Sequence, residues 1–252
     1  MPWNPDKYHQ FKSQRSAPFD DLLKLIEIRP DLRVVDLGCG TGELTRRLAD
    51  SLPGGEVLGL DASLQMLERT GEFVRPGLRF ELGNQAELEG EWDLIVSNAA
   101  LHWSDNHEEL IPKLFKCLAP GGQIAVQVPS NFKSTAHLTI IEVAGRKPFV
   151  SALGGWTRQA PVLSIEAYAE LLFREGAQDI LVFEKVYPHI LENADAIVEW
   201  ISGTALVPYF ERLGDLKDKF VDVIRDELRV AFPGEPVFYP FRRTFFSARK
   251  VA

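Results

Sequence analysis

Asp36, Gly38, Gly40, Gly42 and Asp61 are the residues whose types and spacing point most directly to chemistry. Four of them lie in VVDLGCGTGELT, residues 34–45. Glycines at this spacing let a strand turn sharply into a helix and bring bare backbone amides close to a ligand. Phosphate is the usual guest of such a turn, in a fingerprint that ends on a third small residue. Here Glu43 stands at that last position, and Asp36 sets a carboxylate where a pyrophosphate would be repelled. A cationic ligand without phosphate suits the pattern better. S-adenosylmethionine, with an ammonium and a sulfonium, is one. Gly38 and Gly40 then allow close backbone approach, and Cys39 reads as a small buried residue rather than a reactive thiol. Asp36 attracts the ammonium directly or through water. Asp61 comes 19 positions after Gly42 and suits the two hydroxyls of a ribose; its other reading is a charge favouring a helix N-terminus.

The ends of the next strands offer further groups. Asn84 in LGNQ can meet an adenine edge with its amide, or simply form a surface turn. SNAALHWSD, residues 97–105, ends the fourth strand beside the glycine turn, at the topological switch point of a doubly wound sheet. Enzymes that methylate adenine or glutamine nitrogen resemble one another in an Asn/Asp-Pro-Pro-aromatic sequence at this place, whereas this chain has Asn98-Ala99-Ala100-Leu101. His102 is either a general base, a cationic donor to an acidic substrate, or a packing residue. Trp103 reads as a pocket wall, and Ser104-Asp105 as the cap of the next helix.

These residues need a scaffold. RVVDL, EVLGLD, LRFEL, DLIVSN and QIAVQV are short apolar runs that alternate with helical patterns, as in a parallel sheet wrapped by helices. ELTRRLADSL carries Leu44, Leu48 and Leu52 on one helical stripe; SLQMLERT and HEELIPKLFKCL follow as helices, the latter stopped by PGG at Pro120–Gly122. PFDDLLKLIEIRP predicts a helix closed by Pro30. Downstream, HLTIIEVA and SIEAYAELLFREGA predict helices, ILVFEKVY and FRRTFFSAR strands. The helical patterns over residues 192–231 are too long for a simple connector and read as a lid. The expected class is therefore α/β: a doubly wound, mostly parallel seven-stranded sheet with a helical lid insertion. The expected organisation is one structural unit: residues 1–30 as an N-terminal cover and first helix, 31–130 as the cofactor-binding core, and 131–252 as the remaining strands with the lid at about 192–236.

Composition narrows the partners. The chain has 252 residues and a formal net charge of −8, with no Lys/Arg run to neutralise a phosphate backbone, which argues against nucleic acid. Two cysteines are too few for a disulfide framework, and residues 1–16 lack the apolar segment of a secretory signal. These features predict a cytoplasmic protein with no membrane partner, no metal and a small-molecule substrate; they leave the oligomeric state open.

The DLGCGTG turn resembles that of class I S-adenosylmethionine-dependent methyltransferases. Trp3-Asn4-Pro5, Tyr8, Phe11, Arg15 and Pro18, then SNAALHW, LAPGGQIAVQVPSNF, YPHIL, VEWISGTALVPY and FRRTFFSARK, are similar along nearly the whole chain to the members that methylate trans-aconitate. The resemblance implies a Rossmann-like fold and methyl transfer from S-adenosylmethionine to a carboxylate of a small polycarboxylic acid, giving a monomethyl ester. It implies cofactor contacts from Arg15, Asp36, Gly38, Cys39, Gly40, Asp61, Ala62, Met66, Asn84 and Asn98. It implies acceptor contacts from Trp3, Asn131, Tyr187, His189 and Arg243, and positioning by Tyr8, His102 and Trp103. A guanidinium can grip a carboxylate with two parallel bonds, which makes Arg243 the preferred clamp. One departure is Val207-Pro208-Tyr209, where an arginine is expected before the proline; its loss admits a less charged acid. Two other readings stay open from the residues: a hydroxyl or carbon acceptor with His102 as base, and a non-catalytic S-adenosylmethionine-binding protein.

Overall fold

In a computed structural model, which describes residues 12–252 and the side chains of residues 16–252, helices and strands alternate as the sequence predicts. Helix α1 (Lys12–Leu23) leads to β1 (Arg33–Leu37), α2 (Glu43–Ser51), β2 (Glu56–Asp61), the short α3 (Leu64–Leu67), β3 (Leu78–Leu82) and β4 (Trp92–Asn98). Then follow α4 (His107–Lys116), β5 (Leu118–Pro129), α5 (Thr135–Ala144), α6 (Phe149–Ala152), α7 (Ile165–Arg174) and β6 (Gln178–Leu191). Helices α8 (Ala194–Ser202), α9 (Val207–Leu213) and α10 (Lys217–Ala231) precede the last strand, β7 (Val237–Arg249).

The seven strands form one sheet in the order β3-β2-β1-β4-β5-β7-β6. β1 pairs in parallel with β2 on one side and β4 on the other, so the chain reverses direction across the sheet between these two strands. Crevices that hold ligands open at the carboxyl end of such a switch point. β7 enters antiparallel to β5, with Gln127 opposite Phe245 and Pro129 opposite Arg243.

The chain falls into two compact units. The larger comprises Ser13–Pro129, Pro161–Lys185 and Arg243–Ala252. Its core joins Val35, Leu37, Ile95, Ile124 and Val126 of the strands to Leu110, Ile111 and Leu114 of α4 and to Tyr168 and Leu172 of α7. Among the described residues the smaller comprises Ser130–Ala160 and Val186–Arg242, with its own core from α5, α6 and α8–α10, including Phe149, Trp200, Tyr209, Phe220 and Ile224. Where the sequence suggested one unit with a lid at about 192–236, the smaller unit thus also takes in residues 130–160 and 186–191.

Two boundaries differ from the sequence reading for physical reasons. The first helix stops at Leu23, well before Pro30, because the Gln123 side chain captures the backbone that follows: its Nε2 donates to Leu25 O at 2.7 Å, and its Oε1 accepts from Glu27 N at 3.0 Å. The PGG stretch does not separate α4 from the fifth strand. It lies inside β5 as an irregularity, with the register moving from Trp92–Leu118 to Leu94–Gln123 and Gly121 at φ +72°.

Candidate active site

The glycine turn is built by the ends of β1 and β2 together. Gly38 N and Cys39 N both donate to Leu60 O, at 2.7 and 3.1 Å. Asp61 holds the turn from the other side: its Oδ2 accepts from Gly40 N and its Oδ1 from Ser63 N, each at 2.8 Å. Each carboxylate oxygen keeps a further lone pair for a hydroxyl. Gly38 and Gly40 serve different ends, although both have positive φ. A Cβ on Gly38 would lie 2.1 Å from Ala100 Cβ, so the turn packs directly against the segment after β4. A Cβ on Gly40 would meet nothing within 4 Å, so that edge faces open space. Open backbone on one side and a tight corner on the other form a cradle.

Asp36 is 4% exposed and accepts a 2.6 Å hydrogen bond from Thr45 Oγ1 of α2. Burial pushes its carboxyl up to about 6; the Thr45 bond opposes that rise and the nearby Asp61 charge adds to it. A buried carboxyl held in this way gains from a cationic guest. Cys39 is buried, and burial, with the charges of Asp36 and Asp61, pushes its thiol far above the usual range. A buried thiol held in its protonated form is suited to packing rather than nucleophilic attack. Ala62 is exposed, Met66 is buried, and Ser63 caps α3 by accepting from Met66 N.

Asn84 is exposed; its Oδ1 accepts from Ala86 N at 2.9 Å and caps the short turn Gln85–Glu87. Its neighbour Gln85, which sequence reasoning passed over, ties the end of β3 to the loop after β4 by donating from Nε2 to Ser104 Oγ at 2.6 Å. Ser104 is therefore a cross-link. The cap position of α4 belongs instead to Asn106, at φ 53° and with no side-chain cap bond. The loop is anchored from below by His107, buried between Leu101 O at 2.9 Å from Nε2 and Tyr168 Oη at 2.5 Å from Nδ1. A carbonyl only accepts, so Nε2 carries the proton and Tyr168 donates to Nδ1. Burial lowers the His107 pKa, keeping the ring neutral. Above it, His102 is half-buried and Trp103 38% exposed, with ring centroids 4.9 Å apart. Ala99 sits at φ +54° and donates its N–H to Gln127 O, a strained corner of the kind found at functional turns.

Four polar residues share one face of the sheet along this rim. Asp36 is opposite Val96, Asn98 is two residues on and opposite Gln127, and Arg243 is two residues from the Phe245 that faces Gln127. Alternation along strands puts all four side chains on the same side. Arg243, 4% exposed, donates from Nη1 to Gln127 Oε1 at 3.1 Å. Asn98 Oδ1 is shut off from solvent and accepts no hydrogen bond among the described residues. A buried acceptor in that condition is costly unless a donor arrives, and an ammonium supplies one. Asp36, Asn98 and the open edge at Gly40 thus fit a cofactor with a cationic amino-acid tail.

The smaller unit holds the other expected acceptor contacts. Asn131 is buried and caps a strand backbone, its Oδ1 accepting from Arg242 N at 2.8 Å. Tyr187 and His189 are buried; the His189 ring lies 4.8 Å from Trp200 and nearly parallel to Phe241 at 5.3 Å. Burial pushes the Tyr239 hydroxyl up to about 12, opposed by the polar groups of Ser134 and Asn131. Trp3 and Tyr8 lie outside the described residues, as does the side chain of Arg15, whose backbone belongs to α1. No described helix is long and apolar enough to cross a membrane.

Known proteins with similar sequences and folds give this geometry its context. A methyltransferase-domain family model matches residues 35–124. A trans-aconitate 2-methyltransferase of Deinococcus radiodurans is 49% identical, with 99% of each chain covered. One from Variovorax paradoxus is 36% identical over the whole of both chains. Among solved structures, the YcgJ protein of Bacillus subtilis superposes with a TM-score of 0.63 at 15% identity, over 94% of this chain and 99% of its own. Phosphoethanolamine N-methyltransferase 2 of Haemonchus contortus, solved with S-adenosylmethionine, gives a TM-score of 0.57 at 20% identity, covering 94% of this chain and 53% of that longer one.

Proposed function

We propose that this chain, which belongs to the trans-aconitate 2-methyltransferase family, transfers a methyl group from S-adenosylmethionine to a carboxylate of trans-aconitate, giving a monomethyl ester and S-adenosylhomocysteine. Full-length identity of 49% to a curated member is the observation that carries this reading, and the polar rim of the larger unit supports it. The cofactor supplies an electrophilic methyl on sulfur. Asp36 and Asn98 suit its ammonium, Asp61 its ribose hydroxyls, and the backbone beside Gly40 gives it room.

The acceptor needs no base. A carboxylate with an ordinary pKa of about 4 is already ionised near neutral pH. With the cofactor bound, one of its oxygens would take the methyl carbon as the carbon–sulfur bond breaks, the electron pair staying with sulfur. Rate then comes from holding the reacting atoms in line, and the guanidinium of Arg243 is the group that would grip a carboxylate for that purpose. His102 and Trp103, on the loop fixed by His107 and Gln85, are positioning residues in this scheme.

Purified protein incubated with methyl-labelled S-adenosylmethionine and trans-aconitate tests the reading. The expected product is an acidic methyl ester that releases labelled methanol in mild alkali. A label that survives alkali would point to an ether or carbon-methyl product. Tight cofactor binding without turnover on any carboxylic acid would point to a binding protein instead.

A further inference from the structure

The mechanism above leaves a buried polar side chain of the rim, Gln127, unused. Gln127, on β5, is 0% exposed in the middle of the polar row. Its amide orientation is fixed by chemistry: a guanidinium only donates, so the oxygen must face Arg243 Nη1, 3.1 Å away. The NH2 end then points elsewhere, and Gln127 Nε2 makes no hydrogen bond among the described residues although it is closed to solvent. An amide nitrogen buried without an acceptor is destabilising. Gln127 lies in register with Asn98, whose buried Oδ1 has the opposite deficit, an acceptor with no donor. Read along the face, the row runs from carboxyl (Asp36) to amide oxygen (Asn98), then amide nitrogen (Gln127) and guanidinium (Arg243). It accepts at one end and donates at the other.

We propose that Gln127 sets the charge preference of the acceptor site. Its carbonyl holds the Arg243 guanidinium in place, and its NH2 donates to the anionic acceptor that the guanidinium faces. The ligand class for this half of the row is an organic polyanion with carboxylate oxygens; the ammonium of the cofactor belongs to the other half. The inference rests on the carboxylate-acceptor reading above and adds a specificity-determining residue to it.

The test is steady-state kinetics on Gln127→Glu with trans-aconitate, a dicarboxylate and a monocarboxylate, together with calorimetric titration of S-adenosylmethionine. Glutamate keeps an oxygen for Arg243 but replaces the donor with a second acceptor and adds a negative charge. The acceptor KM should rise at least tenfold for trans-aconitate, less for the dicarboxylate and least for the monocarboxylate. The change in kcat should be smaller than the change in KM, and the cofactor Kd should stay within about twofold. Gln127→Met, isosteric and uncharged, should raise KM by a similar factor for all three acids; it provides the same test if the glutamate variant does not fold. An unchanged acceptor KM in both variants, with wild-type turnover intact, overturns the assignment and leaves the carboxylate reading standing. A cofactor Kd that moves as much as KM also overturns it, because the amide would then serve the cofactor's own carboxylate. Absence of wild-type turnover on every carboxylic acid removes both.

Discussion

The two halves of the rim in the larger unit are made in different ways. Around β1 and β2 the site is backbone: Leu60 O and Asp61 hold the glycine turn, and Asp36 is buttressed by Thr45 nine residues away. Around β4, β5 and β7 it is side chain: Gln127 and Arg243 meet across 116 residues of sequence, beside an Asn98 whose Oδ1 has no donor among the described residues. The first half is acidic and its donors come from the main chain; the second is basic and its donors come from amide and guanidinium groups. In the proposed reading, a turn written in a dozen residues presents a nucleoside with a cationic tail to the acceptor groups on the far side. On that reading, cofactor contacts are kept local in sequence, while acceptor contacts come from distant strands.

Breaking the backbone half should have the largest effect. Asp61→Ala removes the acceptor for two main-chain N–H groups and, in the proposed reading, for the cofactor's ribose. S-adenosylmethionine Kd is expected to rise on the order of 100-fold, since hydrogen bonds to charged groups contribute roughly 1.5–3 kcal/mol each. Calorimetry checks this, and a Kd within twofold of wild type would show that the turn stands without Asp61. Breaking the side-chain half comes next: Arg243→Ala should raise the acceptor KM about 30-fold, with little change in cofactor Kd. An unmoved acceptor KM would take Arg243 out of the site.

A pH titration sharpens the comparison. The Asp36 carboxyl has a folded pKa of about 6 against an ordinary 3.8, so the folded state favours its neutral form. The stability it contributes is fully present below about 3.8 and is lost as pH rises through about 6. Above that, the ionised group opposes folding until a cation joins it. Cofactor affinity should therefore fall severalfold between pH 7 and pH 5, and melting temperature should show a larger cofactor-induced rise at pH 7.5 than at pH 5. Asp36→Asn should raise the melting temperature of the free protein at pH 7.5 by a few degrees, weaken cofactor binding and flatten its pH dependence. A pH-independent Kd in the wild type would count against an ionised Asp36 at the ammonium.

The smallest effect is expected beneath the acceptor loop. Tyr168→Phe leaves His107 Nδ1 without its donor and should lower stability by about 1–2 kcal/mol in denaturant titration. Because His107 also holds Leu101 O, a modest drop in kcat should accompany it, with cofactor Kd unchanged.

The difference between the halves also explains what could be read from the sequence. The parallel strands, their order of chemistry and the helices at residues 192–231 follow from apolar periodicity. That Asp36, Gly38, Gly40 and Asp61 build one corner was legible because their contacts lie within one turn and the next strand. Asn84 was visible as a residue, but its side chain is committed to Ala86 N, and Gln85 beside it forms the tie to Ser104. Gln127 was invisible: in QIAVQV it is one polar residue in an apolar strand, and only the pairing of β5 with β7 brings it to Arg243. The early end of α1 was hidden for the same reason, since the capture of Leu25 and Glu27 by Gln123 depends on a contact across nearly a hundred residues. Periodicity reports faces, and it does not report which distant side chain will compete for a helix backbone.

The most direct test of the rim as a two-ended device is to measure cofactor Kd and acceptor KM in Asp36→Asn and Gln127→Glu side by side. Opposite ends serving opposite charges predicts that the first variant moves Kd and spares KM, while the second moves KM and spares Kd. Both variants shifting the same constant, with the other constant left at its wild-type value, would contradict it.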